Sequence, residues 1–236
     1  MTVRNRGKES NDDKFFAKKW QVIFIEALQD LSFLLSRGYG DKSALQLVGN
    51  RYRMNSRQQK ALFRMSAPKN SILNRNQKAV SKEAIANQNL LIDGFNLLIL
   101  LENVLSEAYI FKSQDGAYRD ISGVHGSYRR VVQTEKAIIL IGTVLKELHS
   151  KTVHWYLDTP ISNSGRLKTM LLEIAEKQEF NWQVTLVNNP DLVLAKSEEI
   201  IVSSDAWILD QCKQWFNLPA LLIEEHLHPQ HVIYAE

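Results

Sequence analysis

From Asn89 onward the chain alternates short apolar runs with longer stretches of helical periodicity. The order is NLLID, a helix near 95–107, the pair YIFKS and YRDIS, a helix near 134–149, and TVHWYLD. There follow a helix near 165–178, WQVTLV, a short connector after Pro190, EEIIVSSD, a helix near 206–215, and ALLIEE. Strands separated by helices pair through right-handed crossovers, which predicts an α/β fold with a mainly parallel sheet covered by helices on both faces. YIFKS and YRDIS flank Gln114-Asp115-Gly116 closely enough to form a hairpin beside that sheet.

The first 88 residues follow another pattern. Phe15, Phe16, Trp20, Ile23, Phe24, Ala27, Leu28, Leu31, Leu34 and Leu35 recur in steps of three and four, tracing one apolar helix face over 15–36 with Gly38 as its stop. Asp41 can cap a short helix ending at Gly49, and Ser56 with Gln59 forms a capping-box pattern for another that runs through Met65 before Pro68. Residues 67–88 are polar and rich in asparagine, as expected of a boundary. The expected organisation is a small basic all-α domain over 1–80, a linker to about 88, and an α/β domain over 89–236.

A formal net charge of +3 conceals a division between these parts. Residues 1–88 hold 17 Lys and Arg against 7 Asp and Glu, whereas residues 89–236 hold 12 against 19. Clustered cations attract phosphates and clustered carboxylates repel them unless a metal intervenes, so a polyanion-binding element joined to a domain with a different task is expected. Arg51, Arg53, Arg57, Lys60 and Arg64 gather in and after the turn NRYRMN, and Arg57, Lys60 and Arg64 share one helix face. They read as a phosphate-contacting stripe, and equally as the solvated face of a small bundle. With 44% hydrophobic and 23% charged residues the chain has a globular composition. Its one cysteine removes a disulfide framework and a cysteine-based zinc cluster. The polar first residues and the interruption of the apolar 90–101 stretch by Asp93, Gly94 and Asn96 argue against a signal peptide and a membrane span. A cytoplasmic protein is expected, with no membrane partner and with homo-oligomerisation open.

Three predicted strands end in aspartate: LLID in Asp93, WYLD in Asp158 and IVSSD in Asp205. Ligands of open parallel sheets bind at the carboxyl ends of strands, so these side chains can share one pocket. Their mutual repulsion would call for a hard divalent cation, Mg²⁺ or Mn²⁺, which polarises a phosphate and activates water for phosphodiester hydrolysis. Each aspartate taken singly is also an ordinary helix N-cap.

Leu91-Ile92-Asp93-Gly94-Phe95-Asn96-Leu97-Leu98 resembles the first strand of the PIN and NYN nuclease-like superfamily, and Ser203-Ser204-Asp205 resembles its later Ser/Thr-x-Asp strand end. The succession DGFNLL, YRDISGVHGSYR, LDTPISNSGRLK and VSSDAWILDQ, preceded by ALQLVGNRYRMNSRQQKALFR, is similar to an uncharacterised prokaryotic family that joins a short basic helical domain to a PIN-like domain. The resemblance implies a PIN-like sheet and a metal-dependent ribonuclease site. In it Asp93, Asp158 and Asp205 bind metal or activate water, and Asn96 bonds the first carboxylate or the phosphate. A fourth acid common in such nucleases has two candidates here, Glu135 and Asp120. The alternative is a noncatalytic RNA-binding protein of the same fold.

SNSGRLK places Ser162, Asn163, Ser164, Gly165, Arg166 and Lys168 at a helix N-terminus, where backbone N–H groups and cations can cradle a phosphate or simply cap the helix. Arg119, Arg129 and Arg130 extend the substrate surface or serve as salt-bridge partners. His226, His228 and His231 lack the register and fourth ligand of a zinc site and read as a solvated tail, and Cys212 as a core thiol. Neither a dinucleotide-binding glycine motif, nor a Walker loop, nor a nucleophile elbow is present in the sequence.

Overall fold

Buried apolar strands pair in parallel when helices cover both faces, and most of the runs after Asn89 do so. The structure is a computed structural model that describes residues 6–122 and 126–236; residues 1–5 and 123–125, the latter within YRDISGVHGSYR, lie outside the described residues. The main sheet comprises β1 (Ala79–Val80), β2 (Asn89–Asp93), β5 (Thr152–Asp158), β6 (Trp182–Val187), β7 (Ile200–Val202) and β8 (Trp215–Phe216), in the order β1-β8-β7-β2-β5-β6. Every pairing in it is parallel. On one face α6 (Gly94–Leu105), α7 (Thr134–Glu147) and α8 (Ser164–Gln178) close the larger core around Trp155, Leu157 and Ile92. On the other, α9 (Pro190–Ala195) and α10 (Ala206–Gln211) cover Leu91, Ile201 and Trp215, with Cys212 buried among them.

A second sheet joins β3 (Ile110–Lys112), β4 (Tyr118–Arg119) and β9 (Val232–Tyr234) in the order β4-β3-β9. The expected hairpin therefore forms, but its partner is the C-terminal strand rather than the main sheet. The N-terminal helices are α1 (Asp12–Phe15), α2 (Lys19–Ser36), α3 (Asp41–Arg51), α4 (Ser56–Met65) and α5 (Lys69–Lys78). Their core of Phe24, Leu28, Leu31, Leu62 and Met65 continues onto Phe111, Ile121 and Ile233 of the small sheet and its flanks.

Several elements differ from the sequence-based expectation. ALLIEE is not a strand: Asn217 caps α11 (Leu218–Leu221) by accepting from the Ala220 N–H, and a π-helical turn over Leu222–Leu227 continues it. The last strand of the main sheet is instead Trp215-Phe216, which begins on the final residue of the helix expected over 206–215, because α10 ends at Gln211. The connector after Pro190 is helical, with Asn189 capping the Leu192 N–H. α3 continues through Gly49 to Arg51. That glycine serves a close approach, since a Cβ there would meet Gln59 Cδ at 2.5 Å. The capping box of α4 lies one residue earlier than expected, between Asn55 and Gln58. Residues 69–80, read as polar boundary, form α5 and β1, and β1 pairs with β8 through Ala79 and Trp215.

A buried ionic network ties the helical part to the sheet. The Arg75 guanidinium on α5 donates to both carboxylate oxygens of Asp210, at 2.7 and 2.8 Å, and to Asp115 Oδ2 at 2.7 Å. Arg119 on β4 donates to both oxygens of the same Asp115, at 2.9 and 2.7 Å, and through Nε to the Ser204 carbonyl at 2.8 Å. Burial alone would raise the Asp115 pKa, but the two arginines hold it down at about 2. Elsewhere Arg6 ion-pairs at 2.5 Å with Glu102, buried in α6.

Removing one partner of a buried ion pair leaves the remaining charge without compensation. Asp115→Ala should therefore cost about 3–5 kcal/mol, lowering Tm by roughly 6–20 °C in a chain of this size. A loss below about 1 kcal/mol in urea unfolding would show that water replaces the carboxylate and that the network is not structural.

Candidate functional site

Counted from β2, the strands that follow one another in the chain lie in the order third, second, first, fourth, fifth, so the direction of winding reverses between β2 and β7. A crevice opens outside the carboxyl ends of strands at such a reversal. Here it is a cleft of about 230 Å³ open to solvent. Asp93 at the end of β2, Asp158 at the end of β5 and Asp205 after β7 all line it, together with Asn96 and Asp120.

The two central strand ends are tied to each other. Asp93 Oδ2 accepts from Ser203 Oγ at 2.7 Å and from Asn96 Nδ2 at 3.0 Å. Ser204 Oγ donates to Asn96 Oδ1 at 3.3 Å, and the Asp205 N–H donates to Ser203 Oγ at 3.0 Å. The DGFN and SSD segments thus form one hydrogen-bonded unit across the β2–β7 boundary. Gly94 is required within it, since a Cβ would meet Leu157 Cδ2 at 2.5 Å and the Tyr156 carbonyl at 2.9 Å. Asp205 also caps α10, its Oδ1 accepting from the backbone N–H groups of Trp207 and Ile208. Functional and capping readings therefore coincide at Asp205. Among the described residues, Asp93 Oδ1 and Asp205 Oδ2 take no hydrogen bond.

Asp191 on α9 also lines the cleft. The sequence reading missed it because it sits in the segment taken for a connector. Its available signal was an acid shortly after an apolar run, at the end of Asn189-Pro190-Asp191. Burial raises the Asp93 pKa to about 7, with Asp191 and Asp205 adding to the rise against the hydrogen bonds from Ser203 and Asn96. Burial also raises Asp191, aided by Asp205 and Asp158, and burial raises Asp158 and Asp120. Loss of water is the cause common to all four, and repulsion from neighbouring carboxylates adds to it at Asp93 and Asp191 alone. Among the described residues, no three Asp, Glu, His or Cys side chains are grouped so as to hold one ion.

Of the remaining candidates, only Arg64 and Arg119 line the cleft. Glu135 is exposed in the first turn of α7, and Glu102 is the buried acid of that region, accepting from Tyr128 and Thr134 at 2.5 Å each. Arg119 lines the cleft but is buried, with its donors on Asp115 and Ser204. Arg57 is held by Asp12 and Glu9, whereas Lys60 and Arg64 are exposed and Arg64 lines the cleft. Arg51 ion-pairs with Asp30, and Arg53 is exposed with a φ of 52°.

At the start of α8 the Ser164 hydroxyl is committed to the Asp158 and Ile161 carbonyls at 2.5 Å each. Ser162 and Arg166 are exposed and Lys168 is half-buried; none of them lines the acidic cleft. Arg129 and Arg130 are exposed outside it. His226, His228 and His231 line a separate hollow with Glu107 and Lys136.

A family model described as "Domain of unknown function (DUF5616)" matches residues 82–221, and one described as "Protein of unknown function (DUF434)" matches residues 23–78. The chain belongs to the DUF5616 family. Over 184 residues it is 31% identical to Uncharacterized protein MJ0935 of Methanocaldococcus jannaschii, across 78% of this chain and 88% of that relative. No solved structure matches. The expected uncharacterised family is therefore found, while these matches carry no nuclease identity. The DUF5616 match contains Asp93, Asp158, Asp191 and Asp205, and the DUF434 match contains Lys60 and Arg64.

Because Asp93 holds its proton more tightly in the folded chain than in the unfolded one, it favours folding least above pH 7. Its contribution improves as pH falls toward about 4, with a slope of at most about 1.4 kcal/mol per pH unit. Asn at this position can still accept from Ser203 and Asn96. In metal-free buffer, Asp93→Asn should be more stable than the parent at pH 8, and the difference should shrink by pH 5. Urea unfolding of both proteins at the two pH values measures this; a variant less stable at pH 8 would contradict the strained carboxylate.

Proposed function

We propose that this protein is a metal-dependent ribonuclease, with a PIN-like sheet whose acidic cleft hydrolyses phosphodiester bonds. The observation that supports this reading is the hydrogen-bonded pairing of Asp93, Asn96 and Ser203 at the winding reversal, with Asp158, Asp191 and Asp205 around the same cleft. Carboxylates held together against their own repulsion suit a ligand that neutralises them, and an all-oxygen donor set suits Mg²⁺ or Mn²⁺. Asp93 and Asp205 would hold the ion through the oxygens left without hydrogen bonds, and Asp158 and Asp191 line the same cleft. Such an ion, when bound, supplies Lewis acidity toward the phosphate and acidifies water.

The chain's own groups supply the rest of the chemistry. Ser203 and Asn96 fix the rotation of the Asp93 carboxylate, and the α10 backbone fixes that of Asp205. Asp191, its pKa raised by burial and by two neighbouring acids, is suited to take a proton from an attacking water. Asp120 forms another part of the cleft wall, where burial likewise favours its protonated form. A cleft of about 230 Å³ open to solvent has room for a phosphate and its adjoining sugar, and an unpaired strand is the substrate form proposed.

A second reading, a noncatalytic RNA-binding protein, is favoured by the lack of a three-acid ligand group among the described residues. The two separate in solution. The nuclease should hydrolyse single-stranded RNA with Mg²⁺ or Mn²⁺ and stop in EDTA, and Asp93→Asn should lower kcat by at least about a hundredfold while remaining folded. Salt-sensitive RNA binding without turnover in either metal would instead establish the second reading.

A further inference from the structure

An acidic cleft repels a phosphodiester, so a strand can approach only where cations stand at its mouth. Arg64, near the end of α4, lines the cleft with five aspartates, Asp93, Asp120, Asp158, Asp191 and Asp205. It is exposed and makes no ion pair among the described residues. Asp120 lies close enough to feel its charge and that of Lys60, and among the described residues neither cation forms an ion pair with it. Lys60 lies one helical turn before Arg64, on the same face and also exposed. Arg57, one residue short of a further turn, is engaged by Asp12 and Glu9.

The backbone beneath Arg64 is fixed. Its carbonyl accepts from Ser113 Oγ at 3.3 Å and from Arg119 Nη1 at 3.4 Å. The same Arg119 guanidinium donates through Nε to the carbonyl of Ser204, next to Asp205. One buried side chain thus sets the position of the exposed cation relative to the acidic strand end.

We infer that Arg64, extended by Lys60, is the phosphate anchor of this site, so that the N-terminal helices complete the cleft for an unpaired RNA strand. Arg119 is a positioning residue acting through the Arg64 and Ser204 carbonyls. The inference rests on the ribonuclease reading for its substrate, but binding and turnover test it separately.

The full chain is titrated into a fluorescein-labelled oligouridine in EDTA, and anisotropy is read over a salt series; hydrolysis is then measured with Mn²⁺. Arg64→Gln should weaken binding about tenfold or more, since a charge-assisted contact is lost. Arg64→Lys should restore much of it. Replacing Lys60 and Arg64 together by Gln should flatten the slope of log K against log salt by about 1.4, at roughly 0.7 for each contact to a single strand. Thermal unfolding should be nearly unchanged, because both side chains are exposed. With Mn²⁺, Arg64→Gln should raise KM more than it lowers kcat.

Arg64-dependent binding with no hydrolysis by the parent would sink the nuclease reading and keep the anchor. Hydrolysis by the parent with binding, salt slope and KM unchanged in Arg64→Gln would overturn the anchor and keep the nuclease. A parent that neither binds oligouridine at low salt nor hydrolyses it with Mn²⁺ would overturn both. Should Arg64→Gln prove destabilised, Arg64→Lys and Lys60→Gln still decide the matter: unchanged affinity and slope in Lys60→Gln, with destabilised but tight-binding Arg64→Lys, would make Arg64 a structural residue.

Discussion

Asp115 is the point on which the two parts of the chain are fixed to each other. Buried in the turn between β3 and β4, it receives Arg75 from α5 and Arg119 from β4, while Arg75 also reaches Asp210 on α10. Two guanidiniums sharing one buried carboxylate would be costly in isolation. The additional acceptors, Asp210, the Ser204 carbonyl and the Arg64 carbonyl, take further donors of the two guanidiniums. Planar forks of this kind constrain direction as well as distance, which bears directly on the cleft because Ser204 precedes Asp205 and Arg64 and Asp205 line it.

The cleft makes the opposite compromise. Asp93, Asp158 and Asp191 all sit where burial favours their protonated forms, and Asp93 and Asp191 are further disfavoured as anions by neighbouring acids. A purely structural role for Asp93 would be better served by an uncharged acceptor for Ser203 and Asn96. Retaining a carboxylate there costs stability at neutral pH, and such local costs are expected where a site is preorganised for a ligand rather than for the empty fold.

The parallel sheet and the three strand-end aspartates were legible because strand period, helix period and chain order all act over short distances, and the end of a parallel strand is a defined place. Asp191 was not, since a six-residue helix with one buried leucine gives too little periodicity to distinguish it from a connector. The exchange of ALLIEE for Trp215-Phe216 as the last strand has a related cause: short apolar runs suit either structure, and the cap at Asn217 settles the choice only in context. Arg57 and Lys60 looked equivalent on one helix face. Only tertiary structure brings Asp12 and Glu9 onto one and leaves the other in solvent.

The charge division along the chain acquires a different meaning from this arrangement. Arg6 pairs with Glu102, Arg75 with Asp115 and Asp210, and Lys82 with Glu225, so part of the cationic surplus of the first 88 residues is matched against the acidic remainder inside one molecule. Such pairs draw the halves together in a fixed orientation, which a freely tethered polyanion-binding arm would not need. The regions matched by the two family models meet across this ionic seam, and the acidic cleft opens along it, with carboxylates contributed from one side and Arg64 from the other. A site assembled in that way ties the geometry of its charges to the docking of the two parts, so a change at Asp115, deep in the seam, reaches the cleft through Arg119 without altering any of the exposed groups there.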